Sequence, residues 1–336
     1  MKAPAFWSAP PGLAAMLLRP AAYLYGSVAG RRMAEAGTRA AIPVVCIGNV
    51  TVGGSGKTPT AIAIASLLRE LKRRPAFLTR GYRGRLHGPV AVDPVRHEAG
   101  DVGDEALLLA RHAPTIVARD RPAGAALAAA TGADLVVMDD GLQNPSLVKD
   151  LTIAVFDGLA GIGNGRVLPA GPLRAPLSGQ WPRIDAVVIV GSGREGDRIS
   201  AEARLRGIPV LSAALRARPE ALSQLRDQRV LAFAGIGRPA KFFETCRECG
   251  IDVVATREFP DHHAFTQAEI TGLLNLAERN GLVPITTEKD EVRLARFAAA
   301  EPRLYRIRTL PVQAAFGDVD TARRLLLARI GGVRIP

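Results

Sequence analysis

Along the chain, short apolar runs alternate with longer stretches in which apolar positions recur at helical spacing. The runs lie at 44–47, 76–78, 90–92, 115–117, 135–138, 152–156 and 186–190. None of them alternates with polar residues, the pattern of strands buried on both faces, and so they predict a mostly parallel sheet between layers of helix. Helical spacing over 59–73, 105–113 and 122–131 supplies the crossovers that parallel pairing requires. The expectation is a doubly wound α/β unit, in which ligands gather at the carboxyl ends of the strands. From Gly158 to Gln180 the chain is rich in glycine and proline and has no periodicity. A structureless stretch of that length is more often functional than idle.

A second, smaller α/β unit begins near Arg229. It has an apolar run at 230–233, the turn Gly235-Ile236-Gly237, a helix through 242–249 and a run at 253–254. The expected organisation is a helical N-terminal segment over 1–40, a core over 41–208, a linker over 209–228 and the second unit over 229–336. The helical pattern at 319–330 is compatible with packing on either unit.

The N-terminal segment is apolar through Phe6, Trp7, Leu13, Met16, Leu17, Leu18, Tyr23, Leu24 and Tyr25, interrupted by Arg19-Pro20, with Lys2, Arg31 and Arg32 beside it. Its longest unbroken run falls well short of the roughly 20 residues that span a bilayer. No small-residue cleavage site follows an apolar core, which argues against a secretory signal. Aromatics with interspersed arginines suit a helix or helix pair lying in the membrane interface, while the plainer alternative is a helix packed on its own domain. The formal charge of +12 changes the picture by favouring anionic partners. Nucleic acid is not expected, because the arginines are scattered and aromatics make up only 5% of the chain, leaving few stacking platforms. The three cysteines, Cys46, Cys246 and Cys249, suggest no disulfide framework, and a reducing compartment is expected. Cys246 and Cys249 lack a second ligand pair and read as ordinary helical cysteines.

The first apolar run leads into Gly48-Asn49-Val50-Thr51-Val52-Gly53-Gly54-Ser55-Gly56-Lys57-Thr58, and a helix follows. This is the strand–glycine loop–helix setting of a P-loop. Glycines let successive N–H groups of Thr51, Val52, Gly53, Gly54, Ser55 and Gly56 turn toward phosphate oxygens, and the helix N-terminus adds partial positive charge. Lys57 is expected on the β- and γ-phosphates and the Thr58 hydroxyl on Mg²⁺; Thr51 stands where the usual pattern opens with glycine. The run 135–138 ends in Asp139-Asp140, the acid pair expected to hold the metal, directly or through water. Asp157 ends another run and reads as a turn residue. The chemistry implied is that of a P-loop NTPase-like, Mg²⁺-dependent nucleotide triphosphatase or kinase using ATP.

Further motifs follow in order: Arg80-Gly81-Tyr82, Gly103-Asp104-Glu105, Asp139-Asp140-Gly141-Leu142-Gln143, Asn164-Gly165, Leu168-Pro169-Ala170-Gly171-Pro172-Leu173-Arg174, Asp261-His262-His263 and Thr287-Glu288-Lys289-Asp290. With the loop at 48–59, this series closely resembles the tetraacyldisaccharide 4'-kinase family, the lipid A 4'-kinases of Gram-negative bacteria. The resemblance covers nearly the whole chain. It implies transfer of the ATP γ-phosphate to the 4'-hydroxyl of an acylated glucosamine disaccharide 1-phosphate, giving lipid IVA, by a peripheral enzyme on the cytoplasmic face of the inner membrane. No obligate protein partner is implied. Two departures stand out. The family usually has Phe and His in the stretch that here ends Gln143-Asn144, and commonly has Glu where this chain has Ala175.

From pattern alone Asp104 is the N-cap of the helix that follows. The resemblance implies instead that Asp104 is the catalytic base, assisted by His262, which comes from the second unit and therefore places the active site between the two. Arg80, Tyr82, Arg119, Arg121, Gln143, Asn164 and Arg174, near the ligand edge of the sheet or in the long loop, are the expected acceptor-binding residues. The Thr-Glu-Lys-Asp run resembles a guanine-reading motif, but its spacing differs and GTP is not inferred. Two rival readings are a soluble P-loop kinase or ligase and a membrane-cycling ATPase switch. The switch class carries a second lysine near the loop's start, where this chain has Val52.

Overall fold

The apolar runs pair as strands. The computed structural model describes residues 4–330; Lys2 and the ends of the expected first and last segments lie outside them. In chain order the strands are β1 (Val44–Gly48), β2 (Pro75–Thr79), β3 (Val90–Ala91), β4 (Thr115–Val117), β5 (Leu135–Asp139), β6 (Leu151–Asp157), β7 (Ala186–Val190) and β8 (Val210–Ala217). There follow β9 (Arg229–Ala234), β10 (Asp252–Glu258), β11 (Val283–Thr286), β12 (Arg308–Thr309) and β13 (Val312–Phe316). Nine of them form one sheet in the order β13-β8-β7-β6-β1-β5-β2-β4-β3, and four form a second in the order β10-β9-β11-β12.

The nine-stranded sheet is parallel except for its two edges, where β3 runs antiparallel to β4 and β13 antiparallel to β8. Every residue of β1, β2, β5, β6 and β7 is buried, as the unbroken apolar runs require. Each fully buried Val, Ile or Leu side chain contributes about 1.5–3 kcal/mol, so these strands carry the stability of the sheet. From β1 the chain winds toward the β2 edge and returns to β5; β6 then opens the other side of β1. That reversal leaves a crevice at the carboxyl ends of β1, β5 and β6.

Three elements differ from expectation. The run at 90–92 is a two-residue, partly exposed edge strand rather than a buried parallel one. The stretch 209–228 is not a free linker: it contains β8, which pairs with β7, and the helix Pro219–Leu225. The helix Val319–Ile330, left undecided by its pattern, packs with β13 on the nine-stranded sheet, burying Ala322, Leu326 and Ile330 in the same core as Val45, Ile47 and Val155. The smaller sheet is thus bounded on both sides by the larger, and Ala217 at the end of β8 pairs with Val312 at the start of β13. Cys46 and Cys246 are buried and Cys249 half-buried, all as free thiols.

The N-terminal segment folds as two helices, Leu13–Leu17 and Arg19–Met33, with Pro20 in the first turn of the second, where its missing N–H costs little. Their burial is inverted. Small residues, Ala15, Ala22 and Gly26, face the protein, with Gly26 against Pro176 and Val167 of the long loop. Large ones, Leu13, Leu17, Tyr23, Leu24 and Val28, are 66–80% exposed. No helix among the described residues is long and apolar enough to cross a membrane.

Candidate active site

The loop after β1 turns into the helix Lys57–Glu70 at Gly56, whose φ of 88° is left-handed and favours glycine. The loop is braced from below by the long glycine- and proline-rich stretch. Val52 N–H donates to Pro172 O (2.9 Å), Arg174 N–H to Val50 O (2.9 Å), and Arg174 Nε to Thr51 O (3.0 Å). This explains why 158–180 has no periodicity: it is shaped to cradle another loop. Gln143, just past the acid pair, donates to Asn49 O (2.7 Å) and to Gln180 Oε1 (2.8 Å).

Inside this cradle several polar atoms are buried without a partner: Ser55 Oγ, Asn49 Oδ1 and both carboxylate oxygens of Asp139. Thr58 is buried beside them in the helix's first turn. Burial, then the charges of Glu105 and Asp140, push the Asp139 carboxyl up to about 7. An enclosed carboxylate with no protein donor on either oxygen calls for a proton, a water or a cation. Among the described residues no group of three or more His, Cys, Asp and Glu forms a ready-made metal cage. The unpartnered Asp139 carboxylate beside the Thr58 hydroxyl fits Mg²⁺, which takes one or two carboxylates and completes its shell with water and substrate phosphates.

Asp140 is placed differently. Its φ of 55° turns it out of the strand, and Arg174 Nη1 donates to both its oxygens (2.9 and 3.0 Å), with Lys57 Nζ at 3.7 Å. Burial opposes the charge on Asp140, but Lys57 and Arg174 outweigh it and hold the carboxyl below its ordinary range. Lys57 in turn is lowered by burial, against the pull of Asp140.

The second sheet delivers its own groups across the crevice. His262 Nδ1 is 2.8 Å from Asp104 Oδ2, and Arg293 Nε is 3.2 Å from the same oxygen. Asp104 is the first residue of the helix Asp104–Ala110, whose N-cap is Gly103, so the N-cap reading does not hold. Burial alone would raise the Asp104 carboxyl, yet the hydrogen bond and charge of His262, with Lys289 and Arg293, bring it below the usual carboxylate range. His262 is itself clamped: its N–H donates to Gly235 O (2.9 Å), its carbonyl accepts from Arg83 (2.9 Å), and Tyr82 meets its ring edge-on at 5.4 Å. Beside the pair, Lys289 reaches from the second unit to Glu105 (2.5 Å), and both charges act on Asp139.

The remaining residues expected at the acceptor site fare unequally. Arg80 and Arg119 are exposed at the ends of β2 and β4. Arg121 is buried instead, donating to Ala118 O, and burial with Arg80 nearby pushes it down to about 10. Asn164 is engaged with backbone, donating to Ala170 O (2.9 Å) and Phe6 O (3.2 Å), which ties the N-terminal turn to the long loop. Asp157 is the turn residue its pattern suggests, accepting from the N–H groups of Leu159 and Ala160, but pattern reading missed its link to Arg238 and Lys241. Asp157 ends β6 next to β1, as Asp139 ends β5, and binds Arg238 and, at 3.0 Å, Lys241 from the second unit. The sequence signal was present: an acid at the end of a buried strand, and two basic residues opening a helix after a glycine turn.

A family model described as tetraacyldisaccharide-1-P 4'-kinase matches residues 14–331. The tetraacyldisaccharide 4'-kinase of Methylobacterium nodulans is 58% identical over 334 residues, covering 99% of this chain and 96% of that protein. That of Rhodopseudomonas palustris is 50% identical over 335 residues, covering 99% and 98%. Among solved structures, the LpxK protein of Aquifex aeolicus in complex with ATP superposes with a TM-score of 0.72 at 24% identity, covering 95% of this chain and all of that one.

Proposed function

The chain belongs to the tetraacyldisaccharide-1-P 4'-kinase family, and from that premise we propose that it moves the γ-phosphate of ATP onto the 4'-hydroxyl of a tetraacylated glucosamine disaccharide 1-phosphate, a step of lipid A biosynthesis that yields lipid IVA. The observation that carries this reading is the 2.8 Å contact between His262 and Asp104, next to a phosphate-binding loop with unfilled polar groups. A sugar hydroxyl needs a base to take its proton, whereas a hydrolytic switch needs only a positioned water.

In this reading Lys57 and the backbone N–H groups of 53–56 grip the triphosphate, while the Val52 N–H, expected on phosphate from the sequence, is held by Pro172 O. Thr58 and Asp139 would hold Mg²⁺, which would supply positive charge to the transferring phosphate. Asp140 positions Lys57 and Arg174 beside the loop. The 4'-oxygen forms its bond to phosphorus as the bond to ADP breaks, and Asp104 takes the 4'-hydroxyl proton. His262 orients the Asp104 carboxylate and disperses its charge. Arg80, Tyr82 and Arg119, open to solvent near this edge, receive the anionic sugar.

The exposed apolar face of the two N-terminal helices, with Arg19, Arg31 and Arg32 also exposed, supports a seat on the cytoplasmic leaflet of the inner membrane, without crossing it. The decisive test is incubation of the protein with radiolabelled ATP, Mg²⁺ and the lipid disaccharide. Label entering the organic phase in step with ADP supports the kinase; inorganic phosphate alone would mean a switch. For the membrane face, the double substitution Leu17→Asp with Leu24→Asp lowers sedimentation with anionic vesicles by about a hundredfold in partition constant; unchanged sedimentation rejects that face.

A further inference from the structure

Arg238 does something that an interdomain ion pair alone does not require. Its Nη2 donates to Gly54 O (2.9 Å), the carbonyl at the crown of the phosphate-binding loop, and binds the Asp157 carboxylate as well. An NH₂ group of guanidinium has two hydrogens, so one nitrogen serves both acceptors. Asp157 is a fixed anchor: its Oδ1 accepts from the N–H groups of Leu159 (3.0 Å) and Ala160 (2.9 Å), while Lys241 holds Oδ2. Burial opposes ionisation of Asp157, but these donors and cations outweigh it and lower the carboxyl to about 2, so the anchor stays charged.

The crown it reaches has little else to hold it. Gly53 and Gly54 are exposed, and a Cβ on either would meet nothing within 4 Å. The side-chain bond from Asn49 to Gly53 O is long, at 3.5 Å. Glycine peptides free of packing rotate readily, and ordering them costs about 1–2 kcal/mol per residue. A trans peptide is planar, with its C=O and the next N–H pointing in opposite directions. Fixing the Gly54 carbonyl toward Arg238 therefore turns the Ser55 N–H to the opposite side.

We propose that Arg238 is a positioning residue for the nucleotide, pinning the Gly54–Ser55 peptide plane so that the Ser55 N–H faces the phosphates, and thereby coupling the second unit to ATP affinity. This rests on the reading of the loop as the ATP site. It concerns a residue that contacts the loop and not the reacting atoms, so its signature is in binding more than in turnover.

The test uses the full chain, titrated with a fluorescent ATP analogue and Mg²⁺ in the absence of lipid. Loss of a charge-assisted hydrogen bond partly open to solvent raises Kd for Arg238→Ala about tenfold. The KM for ATP rises by more than kcat falls, and hydrogen exchange at the Ser55 amide quickens in the nucleotide-free protein. Arg238→Lys recovers part of the loss, and serves with Arg238→Gln if the alanine variant folds poorly. Asp157→Asn moves Kd in the same direction, and the double variant is no worse than Arg238→Ala, since both act through one contact. Unchanged Kd in folded Arg238→Ala and Arg238→Gln overturns the proposal. Failure of the wild-type protein to bind the analogue would instead overturn the ATP site itself.

Discussion

Two of the strand–glycine turn–helix junctions, those after β1 and β9, are put to opposite uses. After β1, the loop at 49–56 leaves Ser55 Oγ, Asn49 Oδ1 and the neighbouring Asp139 oxygens without partners. After β9, the turn Gly235-Ile236-Gly237 leads into the helix Pro239–Glu248 with the same local order, but the chain fills it. Gly235 N–H donates to both oxygens of Asp290 (3.1 and 3.2 Å), and Gly235 O accepts from His262 N–H and from Arg293 (3.0 Å). A glycine turn becomes a ligand site when polar groups around it are left without partners. When an internal carboxylate satisfies them it becomes a mount, and here the mounted groups are His262 and Arg293.

The contrast can be broken most severely at Lys57. Lys57→Ala removes the cation of the open turn and lowers transfer to the lipid about 10⁴-fold, while circular dichroism shows the melting temperature retained; parental turnover would end the assignment of that turn. Next in size are Asp104→Asn and His262→Ala, each lowering kcat about 10³-fold with little change in ATP binding, measured by single-turnover kinetics. Near-normal kcat in both would mean that the filled turn mounts nothing catalytic. Asp290→Ala attacks the filled turn directly. It removes the buried carboxylate that pairs with Arg293 and accepts from the Gly235 N–H, and destabilises the protein by about 2–3 kcal/mol in urea melts, with ATP affinity unchanged. A loss of ATP affinity with stability intact would reverse the roles given to the two turns.

The smallest effect is at Asp157, the link between the turns. Its folded carboxyl is lowered to about 2, so its contribution is complete above the ordinary carboxylate range and is lost as pH falls from about 4 to about 2. Wild-type protein therefore exceeds Asp157→Asn by about 1 kcal/mol at neutral pH, and the gap closes on acidification. A gap independent of pH would show that Asp157 acts without its charge.

The central strands were legible because burial on both faces leaves unbroken apolar runs. Strand β8 was not. Its burial is uneven along Val210–Ala217, one of its neighbours, β13, is far along the chain, and Pro209 and Arg216 gave it the look of a connector. The phosphate-binding loop was readable because its chemistry is local, carried by consecutive residues. Asp104 and His262 gained roles only through family resemblance, since their pairing spans two sheets and no spacing rule connects them. The partners of Arg238 and Lys289 were unreadable for the same reason: each acts on a residue of the other unit. Arg121 and Asn164 were placed at the right edge, but proximity did not reveal that Arg121 turns into the core and Asn164 onto backbone.

The pairing of Ala217 with Val312 has a practical corollary. The polypeptide leaves the nine-stranded sheet and rejoins it at two residues that face each other across one hairpin, so the four-stranded part is built like a cassette. A tight two-residue turn spliced between those positions would close β8 and β13 into a continuous hairpin without disturbing any central strand. The graft points of such a cassette are a single antiparallel rung, and what it carries to the nucleotide loop's side is His262, Arg238 and Lys289, whose partners Asp104, Asp157 and Glu105 stay with the nine-stranded part.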